Sequence, residues 1–118
     1  MPLQLIPSDW LLPVCAILAT EDTNLIQWTH DCRNRFDADF LFAEAWPYEV
    51  YRPLLGALSS PDASGCPVNM DHPAGTTWEF YFSFKNRRSY GKILLRPDHQ
   101  QIVLFSAHLP LKPKLSCE

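Results

Sequence analysis

The sequence predicts an α+β fold, with N-terminal helices packed on a C-terminal antiparallel β-meander. In the first half, apolar residues recur every three or four positions, as on one face of a helix, whereas in residues 77–108 they alternate with polar ones, as in half-buried strands. The length of 118 residues and the hydrophobic content of 47% suit one domain whose core needs no disulfide or metal. We therefore expect a single domain over residues 1–118, with a helical layer at about 8–58, a loop at 59–75, a sheet at about 77–108 and a tail at 109–118.

Three helices are expected in the first layer. The first is predicted over residues 8–19 and the second over 24–36, because apolar side chains recur there at helical spacing. The third begins with Pro47 in its first turn, where the missing N–H of proline costs no hydrogen bond, and Pro53 is expected to kink or restart it.

The apolar residues of the first helix resemble the core of a signal peptide. They lack a preceding Lys or Arg and are interrupted by Pro13, so a buried helix is the preferred interpretation. The sequence has no run of about 18 apolar residues, so we expect neither a membrane-spanning helix nor a membrane partner. A cytoplasmic protein is predicted.

The cysteines are widely and irregularly spaced and form no CxxC pair, so free thiols are expected rather than a disulfide framework. His30 and Cys32, with Cys66 and His72, are residue types that bind zinc. However, two side chains two positions apart on a helix point about 200° apart, which does not suit a shared ion. The sequence predicts no metal site and no cofactor.

The C-terminal half predicts a three-stranded meander over residues 77–85, 89–96 and 101–108, with two-residue turns at Asn86-Arg87 and Asp98-His99. These turns would place Trp78 opposite Leu95, and Leu95 opposite Ile102. Strict alternation then puts Trp78 and the three phenylalanines of the first strand on the core face, together with Ser106 and His108, and puts Tyr81 on the other face. Aromatic and cationic residues occupy the other face, which we call the outer face.

Positive charge is concentrated on this meander. The segment from Lys85 to Arg96 holds five basic residues and no acidic one. Residues 1–75 hold three basic and ten acidic residues, a net charge of −7, whereas residues 76–118 hold seven and three, a net charge of +4. Such an asymmetry favours an anionic ligand on the sheet. The alternative is an ordinary solvated face whose cations discourage edge pairing.

Candidate site residues follow from this face, because cations neutralise phosphates, aromatic rings stack on bases, and Lys, Tyr or His side chains move protons. The predicted catalytic residues are Lys92, His108, Arg88 and Tyr90. The predicted ligand-binding residues are Tyr81, Arg87, Arg96 and Lys85. A lone histidine at a strand end is also compatible with a packing role.

The segment YGKILLRPDHQQIVLFSAHLPLK, residues 90–112, resembles the terminal hairpin of RelE/ParE-like toxins, which belong to the barnase-like ribonuclease toxins. The resemblance implies N-terminal helices against an antiparallel sheet and metal-independent cleavage of RNA. It implies that Lys92 and Arg88 stabilise charge on the scissile phosphate and that Tyr90 or Tyr81 stacks or polarises. His108 would donate or accept a proton.

Two main functions are therefore considered. The first is a small toxin-like, metal-independent ribonuclease acting through the cationic-aromatic sheet face, with RNA as substrate and a cognate antitoxin as partner. The alternative is a non-enzymatic antitoxin, immunity or inhibitor protein that binds a basic partner, such as a toxin, through its acidic helical half. Binding of nucleic acid without cleavage would use the same sheet face as the ribonuclease.

Overall fold

A computed structural model describes residues 3–39, 42, 44–70 and 72–118 and shows helices together with a mixed six-stranded sheet. The elements in chain order are β1 (Gln4–Leu5), α1 (Ser8–Thr20), β2 (Ile26–Trp28), α2 (His30–Ala38), a 3₁₀ helix (Pro47–Val50), α3 (Tyr51–Leu58), β3 (Ser64–Val68), β4 (Thr76–Phe84), β5 (Arg87–Leu95) and β6 (Ile102–His108). The sheet order is β1-β3-β4-β5-β6-β2. Its neighbours are antiparallel except for β2, which runs parallel to β6. The predicted mixed α+β class is confirmed.

The first helix forms where it was expected. Helix α1 buries Trp10, Val14, Ile17 and Leu18 at helical spacing, and the indole N–H of Trp10 donates to the backbone oxygen of Thr76 at 2.9 Å. The helix ends where Glu21 adopts a left-handed conformation with φ of 53°. No helix in the described ranges is long and apolar enough to cross a membrane.

The predicted second helix is wrong in its first part. Residues 26–28 form strand β2 at one end of the sheet, and α2 begins only at His30. Thr29 separates the two elements because its hydroxyl accepts a hydrogen bond from the amide of Cys32 at 3.1 Å, as helix caps do. The apolar spacing still serves packing, since the rings of Trp28 and Phe36 meet edge to face at 5.2 Å.

The segment 59–75, expected to be one loop, contains strand β3, which pairs with both β1 and β4. Before it, the expected third helix consists of the 3₁₀ helix and α3. Pro53 is the third residue of α3, where its amide would have no partner within the helix, so it does not break the element.

The β4–β5 hairpin turns one residue earlier than predicted. Lys85 and Asn86 occupy the turn with φ of 50° and 62°, the left-handed pair that two-residue hairpin turns require. Trp78 therefore lies opposite Ile93 rather than Leu95. Since the pairing shifts by two residues, every side chain of β4 and β5 keeps its predicted face.

The β5–β6 hairpin starts in the predicted register, with Leu95 opposite Ile102, but the pairing shifts between Lys92 and Ile93. Leu104 pairs with Ile93 and Ser106 pairs with Lys92, so Phe105 is the extra residue of a β-bulge. After Phe105, the side chains of β6 therefore point to the faces opposite to those predicted.

Because of this reversal, Ala107 is buried in the core cluster, while Ser106 and His108 belong to the outer face. The prediction of a core-facing His108 is therefore wrong. The residue opposite His108 is Tyr90.

The main core lies between the inner face of the sheet and helices α1, α2 and α3. Gly91 lies at its centre, because a Cβ at this position would be 3.0 Å from the Phe80 ring and 3.2 Å from Leu54. The absence of a side chain at Gly91 thus lets β5 lie close to Phe80 and Leu54.

Candidate functional site: a cleft on the outer face of the sheet

The outer face is partly covered by chain segments that the sequence did not place there. Leu94 and Val103 point to this face yet are buried. Gly75 packs over the first of them, since a Cβ at Gly75 would be 2.7 Å from the Leu94 side chain. The outer face is therefore not an open surface.

The C-terminal tail is fastened across the opposite part of the sheet. Cys117 forms a disulfide with Cys66 of β3, with a Cα–Cα distance of 5.6 Å, and Leu115 is buried. The expectation of four free thiols is wrong for this pair, although Cys15 and Cys32 are free. Spacing along the chain could not show the pairing because the two cysteines are 51 residues apart and meet only when the tail folds back.

Hydrogen bonds fix the tail further. The amide of Ser116 donates to Glu79 at 2.6 Å, and the hydroxyl of Tyr81 donates to Glu118 at 2.7 Å. The same oxygen of Glu118 accepts from the amide of Leu115 at 2.9 Å, which closes the last turn of the chain. The tail is therefore part of the site.

A cleft of about 720 Å³ remains between α2, the outer face and the tail. This volume is in the range of small-molecule and cofactor sites. We call it the cleft; its walls are Asp31, Asn34, Arg35 and Ala38 from α2, Glu79, Tyr81, Tyr90, Phe105, Ser106 and His108 from the sheet, and Pro110, Leu111, Lys112, Lys114, Leu115 and Ser116 from the tail.

The buried Glu79 and the half-buried Tyr90 form a hydrogen-bonded pair in the cleft wall. The Tyr90 hydroxyl donates to the Glu79 carboxylate at 2.5 Å. Burial raises the pKa of Glu79, but the bonds from Tyr90 and Ser116 outweigh it and hold this pKa below its ordinary value. Burial and the adjacent carboxylate raise the pKa of Tyr90 strongly. Glu79 is therefore an anion at neutral pH, and Tyr90 keeps its proton.

His108 is the histidine of the cleft. Its Nδ1 lies 2.6 Å from the backbone oxygen of Leu109, and because a carbonyl only accepts, Nδ1 carries the proton. Nε2 therefore has the lone pair. Burial lowers the pKa of His108, and the positive charges of Arg35 and Lys92 act in the same direction. The Leu109 carbonyl and the charge of Asp39 oppose this effect, and the net shift is downward. The imidazole is neutral at pH 7.

The structure brings some of the predicted residues together. Tyr81, Tyr90 and His108 line the cleft, and the rings of Tyr90 and His108 have centroids 5.4 Å apart. Lys92 is not one of the cleft walls, but it lies on the same face, opposite Glu79, with its ammonium 5.9 Å from the centre of the Phe105 ring.

Other predicted residues lie elsewhere. The guanidinium of Arg88 stacks over the Tyr81 ring at 4.3 Å and lines a separate groove next to α3. Lys85 and Arg87 are exposed at the β4–β5 turn. Arg96 lies beyond the other end of β5, where it bonds to Gln27. Arg88, Lys85, Arg87 and Arg96 do not line the cleft.

Among the cleft residues that residue-by-residue prediction missed are Glu79, which bonds to Tyr90, and Arg35, whose charge acts on His108. Glu79 was detectable as the one carboxylate within the predicted strands. Arg35 was detectable because it belongs to the polar side of an amphipathic helix, but that pattern does not say which sheet face the helix borders. Among the described residues, no group of three or more His, Cys, Asp or Glu side chains could hold a metal ion.

The segment 90–112, which carries the resemblance to RelE/ParE-like toxins, folds as β5, β6 and the first part of the tail. That resemblance stays a prediction. No protein-family model, no curated protein and no solved structure matches this chain.

Proposed function

We propose that the protein is a small, metal-independent ribonuclease that binds RNA in the cleft. The observation that carries this proposal is the state of His108, a buried neutral imidazole with its lone pair on Nε2 and the charges of Arg35 and Lys92 acting on it. A base of this kind, with Arg35 in the cleft wall and Lys92 on the same sheet face, suits attack on a phosphodiester, whose transition state gains negative charge.

In the proposed reaction, Nε2 of His108 takes the proton of a ribose 2′-hydroxyl. The 2′-oxygen forms a bond to the adjacent phosphorus, the bond from phosphorus to the 5′-oxygen breaks, and water protonates that leaving oxygen. The products are a 2′,3′-cyclic phosphate and a free 5′-hydroxyl. Arg35 and Lys92 stabilise the charge on the phosphate oxygens.

Tyr90 and Glu79 are positioning residues in this proposal. The hydrogen bond between them uses the Tyr90 hydroxyl and fixes the ring that packs beside His108. Tyr81 and Phe105 offer aromatic surface at the cleft, and stacking of a base on such a ring stabilises binding by about 1–3 kcal/mol.

The test is cleavage of labelled RNA by the purified protein, with and without EDTA. His108→Gln is expected to lower the rate at least about a hundredfold, because positioned proton transfer contributes that much or more. His99→Gln is the matched control, because His99 is exposed in the β5–β6 loop. Thermal unfolding of both variants shows whether they are folded.

The rate should also fall with decreasing pH only below the ordinary pKa of histidine, because the pKa of His108 is lowered and the neutral form is the base. Absence of cleavage by the wild type, or equal rates for wild type and His108→Gln, would overturn the proposal.

A second candidate function is inhibition of a basic partner protein. Trp46 and Tyr48 are 67% and 56% exposed, and the carboxylates of Glu44 and Glu49 are exposed close to them in the chain. Exposed aromatic side chains are enriched at the centres of protein interfaces, and the acidic neighbours favour a basic partner.

Expression in cells separates the two functions. Arrest of growth that His108→Gln relieves supports the ribonuclease. Harmless expression, with co-purification of a basic protein that Trp46→Ala abolishes, supports the inhibitor.

A further inference from the structure

A second groove, of about 780 Å³, meets the cleft at Phe105, which lines both. This groove runs beside β2, the edge strand next to β6, towards Arg96 just beyond the C-terminal end of β5. Arg33 and Arg96 bring positive charge to it, and Glu21 brings one negative charge. We call it the β2 groove.

Arg96 is the cation best placed to receive a ligand in the β2 groove. Arg33 is exposed and its guanidinium pairs with Asp37 at 3.4 Å. Arg96 is half-buried, and its Nη2 donates to the side-chain oxygen of Gln27 at 3.0 Å, which holds the guanidinium in place. Its Nε–H is buried and has no acceptor among the described residues. A ligand oxygen cannot reach this buried atom, but the guanidinium lines the groove, and its terminal N–H groups can donate to an anion there.

Glu21 does not cancel this positive charge. Its carboxylate pairs with the guanidinium of Arg52 at 3.9 Å. The balance of charges at the β2 groove is therefore positive, and an anionic group is the ligand that fits it.

We propose that the β2 groove binds a backbone phosphate of the same RNA strand that occupies the cleft. This inference rests on the proposed function. Tyr90 and Arg96 are six residues apart along one extended stretch, which spans about 20 Å. At the spacing of about 3.4 Å between stacked nucleotides, some six nucleotides cover that distance. Phe105 joins the two sites, and its ring offers a stacking surface between them.

The test is fluorescence anisotropy with labelled 2′-deoxy oligonucleotides, which lack the attacking hydroxyl and so report binding without cleavage. Arg96→Gln is expected to weaken binding of a ten-nucleotide strand about tenfold and to reduce the slope of log Kd against log salt by about 0.7, the value for one phosphate of a single strand. A dinucleotide should bind equally to the variant and the wild type. Arg87→Gln removes the same charge from an exposed side chain that lines neither the cleft nor the β2 groove, and it is the control.

Arg33→Gln is a second variant of the β2 groove. Arg33 lines the groove and is exposed, so its replacement should leave the fold intact. It should weaken binding of the ten-nucleotide strand less than Arg96→Gln does, and leave the dinucleotide unchanged. Equal affinity of wild type and both groove variants for the long strand would overturn the inference, as would equal losses for the dinucleotide. Binding that depends on Arg96 in a protein that does not cleave RNA supports the β2 groove and overturns the ribonuclease proposal alone.

Discussion

The disulfide between Cys66 and Cys117 gives a prediction whose magnitude follows from the chain. Cys117→Ser removes a cross-link between residues 51 positions apart and leaves the tail held by hydrogen bonds and Leu115. In the chain-entropy description, closing a loop of this length lowers the entropy of the unfolded chain by about 14 cal/mol/K. At 25 °C this stabilises the folded protein by about 4 kcal/mol. Dividing this loss of free energy by the unfolding entropy of a domain of this size gives a decrease in Tm of roughly 15 °C.

The assay is thermal unfolding followed by circular dichroism, for the oxidised wild type, the reduced wild type and Cys117→Ser. The last two should unfold at similar temperatures, well below the first. Cys15→Ser is the control, because Cys15 is a free thiol in α1, and it should unfold like the oxidised wild type. Four reactive thiols in the unreduced, unfolded protein, or an unchanged Tm for Cys117→Ser, would show that the cross-link is absent or does not stabilise the fold.

Two further predictions concern the sheet. Gly91→Ala should lower the free energy of unfolding by about 1–3 kcal/mol, because the added Cβ lies 3.0 Å from the Phe80 ring, whereas Gly56→Ala, with nothing within 4 Å, should be neutral or stabilising; urea unfolding measures both, and equal effects would contradict the packing. Glu79→Gln should cost about 1–3 kcal/mol at pH 7 by weakening the bond from Tyr90. Since the folded pKa of Glu79 is lowered, the wild-type advantage is present above about pH 4.5 and disappears as the pH falls through the folded value, and an advantage independent of pH would contradict this.

Much of the sheet was predictable because alternation survives local errors. The β4–β5 turn was misplaced by one residue, yet the faces of Trp78 and Tyr81 were correct, since the pairing moved by two. The bulge at Phe105 was not predictable in this way, because it depends on how β6 fits against β5 and leaves no mark in the alternation.

The sequence predicted helix boundaries and long-range contacts less well than it predicted the sheet. A three-residue strand with apolar residues at both ends fits helical spacing as well as strand spacing, so the sequence does not separate β2 from the second helix. The cleft itself depends on the tail, and nothing in residues 109–118 says which strand Cys117 reaches. The faces of Lys92, Tyr90 and Tyr81 are predictable because the bulge lies on β6 and leaves the alternation of β4 and β5 unchanged.

The bulge makes Phe105 surplus to the hairpin. Leu104 and Ser106 already have partners on β5, so a chain without residue 105 could keep both pairs. His108 would still face the cleft, and β5 and β6 would pair without a bulge. Such a chain would lose the ring that lies between the cleft and the β2 groove. One extra residue in β6 therefore connects the two concave surfaces of the outer face without changing any pair of the β5–β6 hairpin.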